Sequence, residues 1–390
     1  MTTTTIDLFG GTLMAPVPDP YSVYRRLRRE QPVLRLRGWL GEENLITRHA
    51  DIQAILRDPL TFSSRANAKA IGLVMGRTIL EMEGRDHVRH RNLISPFFSA
   101  RALKANHADA ITSIAHGLID GFAADGCADL VSQFTFTFPL RVLAQILDLP
   151  IEDFHDFHHR ALELISIADN PIRGMAAAEW LRGYLRPLLS QRRSGNGRDL
   201  LSALVHGEVD GARIGEDEVL SFLLLLLPAG AETTYRLLGS LLFALLTHPE
   251  ALAEVLTDRG AIDLAIDETL RWESPVQFVS RETTSQVSIS GVELPPGEML
   301  FLSLGSANRD EHRYTDPDRF DLHRAAGDHM AFGFGPHFCA GSHLARLEAT
   351  IGLNALLDRL HHLRLDPDHP SQVVGLAFRS PEKLAVRYSR

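Results

Sequence analysis

The stretch FGFGPHFCAG, residues 332–341, contains three aromatics, three glycines, a proline, a histidine and Cys339. It runs directly into SHLARLEATIGLNALL, residues 342–357, where apolar residues recur every three or four positions. That spacing predicts a helix starting just after the cysteine. A cysteine that ligates a metal must be a thiolate, and a thiolate needs hydrogen-bond donors and positive potential around it. The free N–H groups and dipole of a helix start supply both. Gly333, Gly335 and Gly341 allow open backbone dihedrals and the close approach of a flat ligand, and Pro336 stiffens the loop. Only one other cysteine is present. Cys127, in AADGCADLV, reads as a small hydrophobe. Structural zinc takes four Cys or His ligands at close spacing, whereas a single thiolate on a heme iron needs no second cysteine.

The bulk composition is that of a globular protein, with 390 residues of which 45% are hydrophobic and 23% charged. A formal charge of −9 argues against a nucleic-acid partner, which calls for a basic face. Basic residues are nearly all arginine; the lysines are Lys69, Lys104 and Lys383. MTTTTIDLFGG lacks the basic and apolar regions of a secretory signal. The longest apolar run, Phe222 to Ala231, is too short to span a bilayer. A cytoplasmic, membrane-free monomer is the expectation.

Periodicity predicts a short amphipathic helix in YSVYRRLRRE, paired strands in VLRLRGWLGEENLITR, and helix again in ADIQAILRDP. Residues 64–80 form a connection of weak periodicity. From about 81 to 272 the pattern is almost entirely helical, with SGNGRD at 194–199 as its clearest loop. Strand-like segments return at 276–304, and an irregular stretch covers 305–331. After the Cys339 loop and its helix the tail is strand-rich. No linker or repeat divides the chain. The expectation is a mainly α protein with small β-sheets (α+β), one large domain over 1–390, with 1–14 a flexible N-terminal segment.

Residues 215–248 form one helical pattern, roughly 50 Å long at ~1.5 Å per residue. In its middle Pro228 removes a backbone donor and crowds the carbonyl of Leu224, and Gly230 lowers propensity further. Glu232, Thr233 and Thr234 follow immediately. In IDETLRWESP, Glu268 and Arg271 stand at i and i+3 on one helix face. In EGRDHVRHRNL, His87 and Arg91 stand at i and i+4.

FGFGPHFCAG resembles the heme-binding loop of the cytochrome P-450 family, and GSHLARLE resembles the helix that follows it. The resemblance extends from about residue 15 to the C-terminus and is closest to soluble bacterial members. It implies the cytochrome P-450 fold, heme b (iron protoporphyrin IX) and Cys339 as the axial iron ligand. Phe332, Gly333 and Gly341 would then lie against the porphyrin, with Ala229 and Gly230 on its other side. PAGAETT resembles the family's central helix over the iron, which makes Glu232 the acid and Thr233 the alcohol of its proton delivery. Such general acid–base help is typically worth ~10²–10⁴-fold. The plainer alternative has Thr233 bonding back to its own helix and Glu232 on the surface. By the same resemblance Glu268 and Arg271, joined by Arg319 of TDPDRF, form a buried frame beneath the heme. His87, Arg91, Arg281 and His337 would hold the propionates. His90, the DFHDFHHR cluster and His361–His362 have no counterpart and read as solvated surface.

The family implies a monooxygenase that inserts one atom of O2 into an apolar organic substrate. Hydroxylation of a terpenoid-, steroid- or macrolide-like small molecule is the expected reaction. Electrons would come from NAD(P)H only indirectly, through a ferredoxin and ferredoxin reductase. Arg85, Arg89, Arg101, Lys104 and Arg346 are the candidate docking cations. The substrate pocket would be lined from 64–80 and 165–185, by Leu224, Pro228 and Ala231, by Val276, Gln277, Phe278 and Val279, and by Leu376, Ala377 and Phe378. Gln277 would orient the substrate. A peroxide-using peroxygenase of the same fold and a non-catalytic heme-binding gas or redox sensor are the other readings. The acid–alcohol pair tells against both.

Overall fold

The computed structural model describes residues 4–38, 41–69, 71–149, 154–165, 170–195, 197, 199–324 and 328–389. Eleven helices carry the description that follows: α1 Tyr21–Glu30, α2 His49–Arg57, α3 Gly84–Ile94, α4 Ala100–Asn106, α5 Ala108–Asp120, α6 Phe138–Ile146, α7 Phe154–Ile165, α8 Pro171–Arg193, α9 Glu216–Thr247, α10 Ala261–Trp272 and α11 Ser342–Arg359. The strands are β1 Val33–Gly38, β2 Gly41–Ile46, β3 Phe62–Ser63, β4 Cys127–Asp129, β5 Phe278–Thr283, β6 Met299–Ser303, β7 His361–Leu365, β8 Val373–Val374, β9 Ser380–Pro381 and β10 Ala385–Ser389. Helix dominates, as the periodicity requires.

Helix α9 runs 32 residues without interruption through Pro228, so the weakening expected there is a missing backbone donor within a continuous helix. Its residues are apolar on nearly every side because α6, α7, α8, α10 and α11 all pack against it; a helix hydrophobic all round is a buried one. Gly230 permits a close approach of α6, since a Cβ there would meet Leu143 at 3.2 Å.

The main sheet has the order β1-β2-β6-β5-β3. Strand β6 lies parallel to β2, with Phe301 opposite Leu45, and antiparallel to β5, with Leu300 opposite Arg281. The pairing of β6 with β2, more than 250 positions apart in the chain, fixes β6, and β5 pairs alongside it and carries Arg281 to the site. A second sheet, β7-β10-β4, joins the C-terminal tail to the middle of the chain. Strand β4 interrupts the region expected to be helical because its three residues pair with β10, a partner no local pattern reveals. The same region holds a hairpin at 208–213, where Asp210 and Gly211 both take positive φ, 58° and 76°. An Asp-Gly pair of this kind is the sequence mark of a tight hairpin turn. The weakly periodic residues 64–80 wind into a 3-10 turn at Ser64–Lys69 and a single helical turn at Gly72–Met75.

Within the segment 1–14, Leu13 is buried and its carbonyl accepts the N–H of Ala377 at 2.8 Å. Among the described residues no helix is long and apolar enough to cross a membrane.

Candidate active site

The Cys339 loop is shaped by two left-handed glycines. Gly333 has φ 70° and Gly335 φ 71°, and a Cβ on Gly335 would lie 2.4 Å from the carbonyl oxygen of Leu56 in α2. The loop closes on itself where Cys339 N–H donates to the Phe332 carbonyl at 2.9 Å and Gly333 N–H to Met330 at 2.8 Å. Arg57 lies 4.9 Å over the ring of Phe334, and Arg346 lies 5.3 Å over Phe332. The turn is therefore gripped from α2 on one side and α11 on the other.

At its end the Cys339 sulfur receives the backbone N–H groups of Gly341 and Ser342, with the Arg91 guanidinium nearby. Burial pushes the thiol up from its ordinary value, while those two donors and that charge pull it down. A metal cation is what would tip this balance to the thiolate. Among the described residues no three His, Cys, Asp or Glu side chains group as metal ligands.

Around the loop, four cationic or neutral donors converge with a single carboxylate, Glu83, acting on one of them. The rings of His87 and His337 lie 4.3 Å apart, and His337 Nε2 is 2.9 Å from Ser64 Oγ. Burial first, then the charges of Arg281, His87 and Arg91, push His337 down to about 3. Arg281 is pushed down to about 10 by burial, opposed only by Glu83. Arg91 is lowered by burial as well, opposed only by Cys339. His87 Nε2 is buried with no partner among the described residues. Two arginines and two imidazoles gathered around an unpartnered ring nitrogen form a cradle for anionic oxygens. The residues present fit a heme: Cys339 would take its iron, and His87, Arg91, Arg281 and His337 its two propionates.

Glu268 and Arg271, both fully buried on α10, face each other in a two-pronged ion pair at 2.7 and 2.8 Å. Arg271 also donates to the carbonyls of Asn308, Pro317 and Arg319 at 2.8–3.1 Å. Here one expectation fails. The side chain of Arg319 is exposed and contributes only its backbone. The second arginine on Glu268 is Arg324, whose Nε lies 3.3 Å from Oε1. The turn at Asp316, with φ 47°, directs the Arg319 side chain outward while the chain folds back to bring Arg324 in. From this frame Asn308 reaches on: its side-chain oxygen accepts the N–H of Met330 at 2.7 Å, at the root of the Cys339 loop.

On α9 the acid and the alcohol occupy neighbouring faces. Glu232 is buried; its Oε1 accepts from Arg236 Nε at 2.8 Å, from Arg236 Nη2, and from Tyr235 at 3.3 Å. Thr233 Oγ1 donates to the Ala229 carbonyl at 2.7 Å, the back-bond of the plainer reading. Ala229 is exposed and Gly230 and Thr233 half-buried in the mostly buried middle of α9, so an accessible strip lies where one is expected over a porphyrin.

Several pocket expectations are corrected. Gln277 is fully buried, and donates to the Ser274 carbonyl at 2.8 Å and the Tyr21 hydroxyl at 3.4 Å, with the Tyr24 hydroxyl at 3.5 Å. Its amide is turned into the core and away from the accessible surface. Phe278 stacks on Phe301 at 4.3 Å, and with Leu376 it belongs to the core beneath α1, against which Ala377 packs. Leu224 and Pro228 are buried, as is Ala231. Val276, Val279 and Phe378 keep accessible surface. His90 is no surface residue; it is buried between Asp86 and Glu218, 2.6 Å from the latter. His361 and His362 are exposed; the DFHDFHHR cluster and residues 165–185 lie partly outside the described residues. Of the docking cations, Arg85 and Arg89 pair with Asp210 and Arg346 with Asp267. Arg101 and Lys104 of α4 are exposed. Two further arginines, Arg236 and Arg324, belong to these clusters. Arg236 is legible in the sequence, standing four positions after Glu232.

The family model described as Cytochrome P450 matches residues 175–383. Cytochrome P450 107B1 of Saccharopolyspora erythraea is 35% identical over 387 residues, covering 95% of each chain. Vitamin D(3) 25-hydroxylase of Pseudonocardia autotrophica is 37% identical, covering 90% of this chain and 88% of that one. A solved structure of P450BioI with an acyl carrier protein ligated to hexadec-9Z-enoic acid superimposes with a TM-score of 0.88 at 31% identity, over 95% of this chain and 99% of that one. The chain belongs to the cytochrome P450 family and has its fold. It is an oxidoreductase of the monooxygenase class, whose members use heme b and O2 with electrons from NAD(P)H passed through redox partners.

Proposed function

We propose that this protein hydroxylates a sizeable apolar small molecule of terpenoid, steroid or macrolide type, with electrons delivered by a separate ferredoxin and ferredoxin reductase. The observation that carries the site assignment is the convergence of Cys339, flanked by the Gly341 and Ser342 N–H groups, with the donors of His87, Arg91, Arg281 and His337. Bound heme supplies the oxygen activation. The chain's own residues do the rest.

Cys339 would hold the iron as thiolate, its charge eased by two backbone donors, and such a ligand pushes electron density toward O–O cleavage. The four donors would fix the propionates. The Glu268–Arg271–Arg324 frame, through Asn308 and Met330, keeps the loop from shifting under the sulfur. On the other side Thr233 would hold and pass a proton at Oγ1, releasing the Ala229 carbonyl as it turns, and Glu232 would replenish it. Buried aliphatic residues of α9 exclude bulk water, and Val276, Val279 and Ala229 offer an apolar surface to substrate. The relative named as a vitamin D(3) hydroxylase supports a polycyclic substrate. The carrier-protein complex of P450BioI makes a tethered acyl chain the competing class.

The test is a titration of free steroids, terpenoids and macrolides, and of carrier-tethered fatty acids, while the heme spin state is followed by absorbance. A low- to high-spin shift with a free polycyclic or macrocyclic ligand, followed by hydroxylation under NADPH, ferredoxin and reductase, is expected. A shift confined to the tethered acyl chain, or product formed with hydrogen peroxide alone faster than with O2 and reductant, would replace this reading.

A further inference from the structure

Beside Glu232, on the face of α9 that carries residues 232, 235 and 236, lies a cavity of about 290 Å³. Tyr235, Arg236, Phe136, Phe378, Ser380 and Glu382 line it. Arg236 spans the space between this cavity and the acid. Its Nε and Nη2 both hold Glu232 Oε1, its Nη1 reaches Ser380 Oγ at 3.2 Å, and the guanidinium lies over the rings of Tyr235 at 4.9 Å and Phe378 at 5.6 Å. The side chain keeps 16% of its surface accessible. Glu232 Oε2, by contrast, is buried with no partner among the described residues. One carboxylate oxygen is thus clamped from the cavity side and the other is left free, on a residue whose neighbour in the chain is the Thr233 alcohol.

A buried carboxylate pinned through one oxygen only is unusual, because an unpartnered acceptor costs desolvation that a second donor would offset. Arg236 is always charged and so cannot itself relay a proton. It can hold the acid in place and let water reach it. We propose that Arg236 is the positioning residue for Glu232, and that the cavity it lines is the port through which solvent protons reach the acid. In each cycle a solvent proton enters through the cavity and is relayed by water past the guanidinium to Glu232 at Oε2, each relaying water taking up one proton as it passes one on and so ending neutral; Glu232 then yields that proton toward Thr233, returning to the carboxylate that Arg236 holds. This rests on the acid–alcohol reading above and adds to it the entrance and its keeper.

The test uses the heme-loaded protein with its redox partners, in Arg236→Leu, Arg236→Lys, Glu232→Gln and Met14→Trp variants; Met14 lines the same cavity. Three quantities are read: the fraction of electrons lost as peroxide, the solvent deuterium isotope effect on turnover, and the C–O stretching band of carbon monoxide on the reduced heme. Arg236→Leu is expected to raise peroxide several-fold, enlarge the isotope effect and shift the C–O band, with Arg236→Lys restoring most of each. Met14→Trp is expected to enlarge the isotope effect with the C–O band unmoved. If Glu232→Gln changes coupling while Arg236→Leu and Met14→Trp match wild type, the proposal is overturned and the acid's role stands. If Glu232→Gln also matches wild type, the acid–alcohol reading itself falls. Should Arg236→Leu fail to load heme, Ser380→Ala removes only the outer anchor of the guanidinium; the same three shifts in smaller measure support the proposal, and wild-type values overturn it.

Discussion

Arg324 Nε lies 3.3 Å from Glu268 Oε1, while Arg319, five positions earlier, presents only its backbone oxygen to the same cluster. A carboxylate with zero exposure needs its full set of donors, and Glu268 has them from Arg271, Arg324 and the N–H of Asp321. Removing one member of such a set leaves the rest unpaired, at a cost of about 3–5 kcal/mol.

Arg324→Ala is therefore expected to lower heme retention sharply, as is Glu268→Ala, whereas Arg319→Ala should retain heme near wild-type level. The ratio of Soret to protein absorbance after purification checks this. Equal loss in Arg319→Ala and Arg324→Ala would reinstate the former in the frame.

The heme-free protein should lose stability on mild acidification. His337, lowered to about 3, and His87, lowered by burial, are neutral in the fold where the unfolded chain is protonated below about 6.5. The unfolded state then binds more protons, so stability falls as pH drops from about 6.5 toward 3. Propionates facing Arg91, Arg281 and the two imidazoles would favour the protonated rings and flatten this slope. Melting temperatures across pH 4–7, with and without heme, measure both slopes; identical slopes would separate the four donors from the propionates.

Gly335→Ala meets two obstacles together, the left-handed backbone and the Leu56 carbonyl at 2.4 Å. Gly333→Ala meets the first alone, its nearest neighbour being 3.6 Å away. The left-handed penalty is roughly 1–2 kcal/mol, so Gly333→Ala should fold with reduced stability. Gly335→Ala should also displace the loop from α2 and lose the thiolate signature. The red-shifted Soret band of the reduced carbon monoxide complex reports the difference, and Cys339→Ser, which should abolish it, sets the floor.

Docking of an acidic electron donor should depend on Arg101 and Lys104 more than on Arg85 and Arg89, because Asp210 already pairs with both of the latter and offsets half of their charge. Arg101→Ala/Lys104→Ala is expected to slow reduction and weaken its salt dependence. Stopped-flow reduction at several ionic strengths checks it. A larger effect from Arg85→Ala/Arg89→Ala would show that Asp210 gives way to the partner.

The Cys339 loop, the acid and alcohol on α9, and the Glu268–Arg271 pair were all legible because each is local. A loop before a helix, neighbours in sequence, and i, i+3 spacing depend on backbone geometry that a few residues set among themselves. Arg236 was legible in the same way. What only the tertiary structure decided is which distant groups meet. Arg281 reaches the site by strand pairing, Arg324 replaces Arg319 because the chain turns at Asp316 and folds back until Arg324 reaches the Asp316 carbonyl, and Gln277 goes to the core because Tyr21 and Tyr24 are there to satisfy it. Burial is a property of the whole packing, and a polar residue's role follows from the partners that packing brings within hydrogen-bond reach. Local pattern determined the chemistry on offer; the packed chain decided which side chains share it.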